Sequence, residues 1–209
     1  MMDFTMISTY ILIITVLVSF MAFNNQELRH KLIFNPFIIK KKNEYHRFIT
    51  SGLIHADWMH LIFNMIVIFY FSFTIEGYYL QLFEDKLIAK YYFLFLYIGG
   101  LIISDLPSYF KHKDNYYYNS LGASGATSSV LFAFILFQPW SMLYFFGIIP
   151  IPAILFGIGF LWYSSHMSKK SVDNINHDAH FYGAVWGVVF TLIIKPHVGL
   201  IFLNKLLSF

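Results

Sequence analysis

The chain contains no cysteine. Disulfides, iron–sulfur ligation, thiolate zinc sites and cysteine nucleophiles are therefore excluded, although the redox compartment is not fixed by this absence. Charge is scarce too. Only 12% of the 209 residues are charged, and the net charge at pH 7 is +3. The basic residues sit in short clusters such as Lys40-Lys41-Lys42 and make no long basic face, which argues against nucleic acid as a partner. No internal repeat is visible. The N-terminal stretch "MMDFTMISTYILIITVLVSFMAF" lacks the positive region and small-residue cleavage site of a signal peptide, so it is expected to be a retained spanning helix.

What the chain has in abundance is apolar surface. Hydrophobic residues make up 58% of it, with 25 Phe and 15 Tyr, well above the roughly 45–50% of soluble domains. This places it among integral membrane proteins. Runs of a length suited to crossing a bilayer occur at about 4–23, 59–79, 87–103, 121–137, 147–163 and 180–194. Long uniform runs call for helices, because lipid supplies no hydrogen-bond partners to an open strand. The expected fold is an all-α polytopic bundle of six transmembrane helices, one membrane domain over 1–209, with a long first loop. That loop, Asn24–Gly52, alternates "KLIFNPFII" with "KKKNEYHR" and reads as a surface-lying hairpin or short helices. Tyr116-Tyr117-Tyr118 reads as an interfacial anchor. Lys195-Pro196 ends or kinks the sixth span, and the tail after it either continues that helix or lies on the surface. The fourth and sixth runs reach only about 22–26 Å at 1.5 Å per residue. A hydrocarbon core is about 30 Å thick, so local thinning or a wet vestibule is expected at one end.

Polar residues inside such runs are costly and mark function by default. His55, His60 and Asn64 fall at the second run, His177 and His180 at the sixth. In a six-span chain the even-numbered spans all start on one face. His60 and Asn64, Ser124 and His180 lie near those starts, at similar depth. His60 and Asn64, four apart, share a helix face and both donate hydrogen bonds, a pair suited either to holding an oxyanion or to bridging helices. "NSLGASGATSSV" opens the fourth run with small residues: Gly122/Ala126 and Gly125/Ser129 form stripes that let backbones approach. "AHFYGAVWG" repeats the device with Gly183 and Gly187 beside His180. Close packing of these two helices would bring His180 to Ser124, and a serine nucleophile needs such a base. "GASGA" also resembles the G-x-S-x-G elbow, but residue 126 is Ala and no strand precedes it. His177 and His180, with His55 or His60, offer a competing metal site, unsupported by any HExxH motif.

Taken together these residues resemble the rhomboid intramembrane serine proteases. "HADWMHLIFNM" resembles that family's H-x4-H-x3-N signature, "GASG" its nucleophile motif and "AHFYGAVWG" its A-H-x-x-G-x-x-x-G motif, in that order along the chain from about Tyr10 to Ile194. The resemblance implies a serine endopeptidase without cofactor or metal. Ser124 would be the nucleophile and His180 the base. His60, Asn64 and the Ser124 N–H would form the oxyanion site, with His55 and Gly122 in support. Its partners would be single-pass or polytopic membrane-protein substrates within the lipid bilayer; the sequence sets no oligomeric state. Arg47 resembles the arginine of a family Trp-Arg pair in which His46 replaces the tryptophan. Glu76 resembles a structural glutamate at the far end of the second span. Ser128 stands where well-known members carry a tyrosine stacked on the histidine. A non-catalytic membrane-protein binder on the same scaffold is the alternative. Ten of the fourteen Lys and Arg lie in the first, third and fifth loops. The positive-inside tendency would put that face in the cytoplasm, whereas the family pattern implies a cytoplasmic N-terminus and an outward-facing active site, expected in the plasma membrane.

Overall fold

A computed structural model describes residues 5–145, 147–170 and 175–208. Eleven α-helices lie along the described residues, α1 Ile7–Phe23, α2 Gln26–Leu32, α3 Pro36–Lys42, α4 Arg47–Thr50, α5 Trp58–Val67, α6 Phe73–Leu82, α7 Lys86–His112, α8 Ser124–Phe137, α9 Ala153–Met167, α10 His177–Ile194 and α11 His197–Leu207. One π-helical turn, Ile68–Ser72, joins α5 to α6 in a continuous 25-residue helix. That helix and α7 are each long and apolar enough to cross a bilayer; α10 and α11 count as a third only as a pair bent by 115°. α1, α8 and α9 are shorter apolar helices.

The distribution of side chains is that of a protein solvated by lipid. α1 buries Ser8, Thr9, Thr15, Ser19 and Ala22, and turns Tyr10, Ile14, Leu17, Phe20 and Met21 outward. Small hydroxyl residues pack between helices while bulky apolar ones face the acyl chains. α8 is the exception that defines the centre: every residue from Gly125 to Phe137 is buried. A helix that is apolar all round must be surrounded. α7 and α10 flank it at backbone distance. A Cβ at Gly183 would collide with the Gly125 carbonyl, and one at Gly187 with the Ser129 carbonyl. Ser129 Oγ sits 2.9 Å from the Gly125 carbonyl and 2.8 Å from that of Gly183, tying α8 to α10. On the other flank a Cβ at Gly100 would meet Ser129 and Ala126. The buried residues of α7 (Ala89, Phe93, Leu96, Tyr97, Gly100, Leu101, Ser104 and Ser108) follow the helical repeat on one face.

Five outcomes differ from, or sharpen, the sequence reading. The fifth helix starts at Ala153 rather than 147, because Met142–Phe145 and Ile149–Pro152 form an antiparallel hairpin with Gly147 at φ +72° in its turn. Pro150 and Pro152 would break a helix interior, so the helix begins only after them. The third helix runs on to His112, nine residues past the expected end, because Ser104 and Ser108 keep its buried face occupied as the sequence turns polar. The first loop is ordered as α2, α3, α4 and one 3₁₀ turn, with Asn25 and Asn35 capping α2 and α3. The tail turns at Pro196 and lies across the end of α8, where Lys205 Nζ donates to the Phe137 carbonyl at 2.7 Å. A cation at a helix C-terminus also complements the dipole. Of the tyrosine trio, Tyr116 and Tyr117 are exposed, and Tyr118 stacks on His112 with ring centroids 3.8 Å apart.

Two buried charges fix the periphery. Glu76 is fully buried and accepts from the backbone N–H groups of Ile7 and Ser8 at 2.7 and 2.8 Å and from Ser8 Oγ at 2.6 Å. It caps α1, whose first N–H groups have no partner within the helix. Arg47 grips the carbonyls of His30 and Ile33 at 2.7 and 2.8 Å and pairs with Glu44 at 2.6 Å, so it holds the end of α2 in place, while His46 is exposed. The α8–α10 contact yields a direct test. Gly187→Ala places a methyl group against the Ser129 backbone, which cannot give way cheaply. It is expected to destabilise the bundle by about 1–3 kcal/mol, read as a lower unfolding midpoint in detergent. Gly159→Ala, at a position with open space, is expected to leave the midpoint unchanged.

Candidate active site

The site lies where α5, α8 and α10 all begin. This shared face is a finding of the contacts. His60 and Asn64 meet the start of α8, and Asn176, which caps α10, reaches Ser120 just before α8.

Ser124 is the first residue of α8 and is half-buried, and the N-cap residue before it, Ala123, has no side chain able to cap that helix. Backbone N–H groups at such a terminus point outward and favour negative charge. Gly122, two residues earlier, has φ +114°, a conformation that side-chain-bearing residues rarely adopt. The same position must also lack a side chain, since a Cβ there would lie 2.5 Å from His60 Cε1 and 2.7 Å from Nε2. The His60 ring therefore lies directly on the loop that delivers Ser124. His60 Nδ1 sits 3.5 Å from the Ala56 N–H. If that nitrogen accepts, the proton resides on Nε2, the edge nearest Gly122.

Asn64 is buried one turn further along α5. Its Nδ2 donates to the His60 carbonyl at 2.9 Å, and its Oδ1 lies 3.2 Å from Thr127 Oγ1, which is 3.1 Å from the Ser124 carbonyl. One amide proton of Asn64 is thus committed to the helix, and the side chain is tied to the first turn of α8.

His55 is 1% exposed and sits in a chain of hydrogen bonds. Ser19 Oγ donates to the Leu53 carbonyl at 2.8 Å. Its single proton is thereby used, so at 2.9 Å it accepts from His55 Nδ1–H. His55 Nε2 is then free to accept from the Ala123 N–H at 3.4 Å. This neutral tautomer joins α1 to the residue before Ser124. Burial, with a smaller contribution from neighbouring His60, pushes the His55 pKa from 6.5 down to about 3.

His180 occupies the first turn of α10. Asn176 caps that helix through Oδ1 on the Ala179 N–H at 3.1 Å. Asn176 also contacts Asp105 at 3.2 Å, Ser108 at 3.1 Å and Ser120 at 3.4 Å. One side chain therefore sets the heights of α7, the α8 entry loop and α10 together. Gly183, one turn beyond His180, lies against Gly125, the residue after Ser124. That backbone contact puts the starts of α8 and α10 side by side. The His180 ring is stacked on Phe160 of α9, with centroids 5.7 Å apart and planes at 27°, and meets the edge of His177 at 5.8 Å.

Sequence reasoning missed Asn176, although an Asn just before an apolar helical run is a capping signal. It missed Phe160 because nothing distinguishes one phenylalanine among 25. As for a metal, the imidazoles fall into two pairs, His55 with His60 and His177 with His180. Among the described residues no three His, Asp or Glu side chains form a ligand group.

The His55 chain makes stability depend on pH. The folded protein keeps the imidazole neutral down to about pH 3, whereas an unfolded chain takes up the proton near 6.5. Between these values the unfolded state binds more protons, so stability is complete above pH 6.5 and falls as pH drops through that window. From pH 6.5 to 5 this contribution falls by up to about 2 kcal/mol. His55→Gln is expected to show a smaller drop in unfolding midpoint than wild type between pH 7 and pH 5, measured by thermal denaturation in detergent.

Comparison with known proteins bears on the same residues. The family model described as the Rhomboid domain matches residues 42–197. RHOMBOID-like protein 12, mitochondrial, of Arabidopsis thaliana is 27% identical over 188 residues, covering 81% of this chain and 52% of that protein. Presenilin-associated rhomboid-like protein A, mitochondrial, of Danio rerio is 31% identical over 150 residues, covering 67% of this chain and 35% of its own length. A Bacillus subtilis (strain 168) protein carrying a rhomboid-protease name, YdcA, is 29% identical over 150 residues, 72% of this chain and 67% of that one. The chain thus spans about half the length of the Arabidopsis relative and about a third of the Danio one. Two of the three bear mitochondrial names, so the expected plasma-membrane location draws no support from them. With the family model covering most of its length, this membrane protein belongs to the rhomboid family.

Proposed function

We propose that the protein is an intramembrane serine endopeptidase in which Ser124 and His180 form the catalytic dyad, acting as a single membrane domain. The observation that carries this reading is the contact of Gly183 with the Gly125 backbone, because it sets the residue beside Ser124 against the helix turn that follows His180. Half-burial of Ser124, His60 and His180 among buried neighbours leaves these three open to a reactant.

The substrate is a transmembrane helix of another membrane protein, locally unwound, because a helical amide is shielded by its own backbone. Ser124 Oγ attacks the scissile carbonyl carbon while His180 takes the hydroxyl proton. Negative charge collects on the carbonyl oxygen, within reach of the open N-terminus of α8. His60 Nε2–H and the remaining Asn64 amide proton supply donors from the adjoining helix. His180 then returns the proton to the leaving amine, and water admitted from the aqueous face hydrolyses the acyl-enzyme. His55 supports the site by holding the Ala123 N–H, and Gly122 by leaving room for His60.

Ser124→Ala and His180→Ala are each expected to lower cleavage of a model transmembrane substrate in proteoliposomes by at least about a thousandfold, with the unfolding midpoint retained. Removing one oxyanion donor by His60→Ala or Asn64→Ala is expected to cost about 100-fold in kcat. A fluorophosphonate probe should label Ser124, located by peptide mapping. Undiminished turnover by purified Ser124→Ala would sink the proposal, and an unlabelled wild-type protein would favour a non-catalytic binder. We further place the N-terminus in the cytoplasm and the active site on the opposite face. Protease accessibility of a tag at each terminus in intact cells is expected to show the N-terminal tag protected, and digestion of that tag would reverse the assignment.

A further inference from the structure

The serine–histidine reading leaves open what holds the base. An imidazole at the start of a helix has freedom about two torsions, and only a narrow range of ring orientations serves a neighbouring hydroxyl. Position 128 lies four residues after Ser124, on the same helix face, but carries only a buried hydroxymethyl group. α8 thus presents no ring to His180 from that position. The ring that meets the imidazole face comes from α9. Phe160 stacks on His180 at 5.7 Å with planes 27° apart, and it also meets the rings of Phe132 of α8 at 5.8 Å and of Phe156 one turn earlier at 6.0 Å. His177 meets the same imidazole at 5.8 Å and 84°. Phe160 is therefore wedged between the helix of the nucleophile and the helix of the base.

We infer that Phe160 is a positioning residue for His180, an inference that rests on the serine-protease reading above. A ring stacked at an offset restricts rotation of the imidazole and competes for neither nitrogen, because both nitrogens hydrogen-bond within their own plane. It also favours the state that forms during reaction. When His180 accepts the serine proton it becomes a cation over an aromatic face, and that attraction is absent from the neutral ground state. The seat of α9 enters the same argument. Gly157, one turn before Phe160, brings α9 close to α8; a Cβ there would lie 2.8 Å from Ile135 Cδ1. The orientation of the base is in this way coupled to the packing of α9, a helix that carries neither member of the dyad.

The test replaces the ring without emptying the site. Phe160→Leu keeps apolar volume and loses the aromatic face, and Phe160→Tyr keeps both. Phe160→Met serves as a second non-aromatic variant should the leucine protein fail to fold. For each, fluorophosphonate labelling of Ser124 and cleavage of the model substrate are followed in proteoliposomes, with the unfolding midpoint measured alongside. Loss of one aromatic contact is expected to lower labelling rate and kcat by about three- to tenfold, with KM within about twofold of wild type, and Phe160→Tyr is expected to restore both rates. Wild-type rates in Phe160→Leu would overturn the inference while leaving the serine-protease reading intact. Equal slowing in Phe160→Leu and Phe160→Tyr would also overturn it, assigning the effect to shape alone. Absence of labelling in the wild-type protein itself would overturn both readings, since a base without a nucleophile has nothing to be positioned for.

Discussion

The contact on which the rest depends is the meeting of two helix backbones, α8 and α10, with no side chain between them. In lipid, apolar side chains gain nothing by leaving acyl chains for each other, so helices associate through close packing and interhelical hydrogen bonds. Gly125, Gly183 and Gly187 supply the closeness, and Ser129 supplies the bond, reaching the Gly183 carbonyl across the interface at 2.8 Å. With the separation reduced to backbone thickness, the relative height of the two helices is fixed by which glycine meets which carbonyl. Sliding one past the other would drive a Cβ or Ser129 into a main chain. α7 closes the third side through Gly100 and Ser104, so α8 cannot tilt away from α10 either.

That interface sets the height of the site, and the ends of the helices set its surroundings. Every helix start leaves N–H groups without partners, and in apolar surroundings each must be met by something polar. Glu76 meets those of α1, Asn176 one of α10, Asp57 one of α5 and His55 that of the residue before α8. Each of these side chains comes from another helix or from the loop leading in, so each cap is also a register pin. His60 and Glu76 lie 16 residues apart on the continuous helix, about 24 Å at 1.5 Å per residue. α1 is held at one end by Glu76 and at the other by His55 through Ser19. The N-cap residue of α8 is Ala123, which has no side chain able to cap the N–H groups from Ser124 onward. In the proposed reaction those N–H groups would receive the oxyanion.

Much of what surrounds the candidate site was legible in the sequence, for a physical reason. Polar and small residues are so costly or so unproductive in lipid that their placement carries information. His60 and Asn64 four apart, the glycines after His180 and the small residues around Ser124 could be placed on one face from chain order alone. Glu76 and Arg47 stood out as charges in apolar context. Phe160 could not stand out, because an aromatic residue in a membrane helix is ordinary whether it faces lipid or an imidazole. The hairpin before α9 was hidden in the same way: "MLYF" and "IPIP" are as apolar as a span, and only the two prolines distinguish them. The extension of α7 to His112 was hidden for the opposite reason, since Ser104, Asp105, Pro107 and Ser108 make its last turns read as loop.

The remaining question is how a site built at the foot of a lipid-buried helix receives water. α8 has 14 residues, which at 1.5 Å each gives about 21 Å, against a hydrocarbon thickness of about 30 Å. If its buried C-terminal end, capped by Lys205, sits near one boundary, its N-terminus stops roughly 9 Å short of the other. Longer helices rise past it: α7 extends to His112, and Lys111 in its last turn reaches Asp178 on α10. In the proposed reaction this difference in length would leave the start of α8 below the level of the lipid surface. Polar side chains stand near that start, with Asn176 reaching Ser120 and His60 lying against Gly122, and such groups can hold the hydrolytic water. Under that proposal the short central helix and the start it presents act as one device: the shortness would lower the N–H groups to the depth of a transmembrane substrate, where its carbonyl oxygen would meet them.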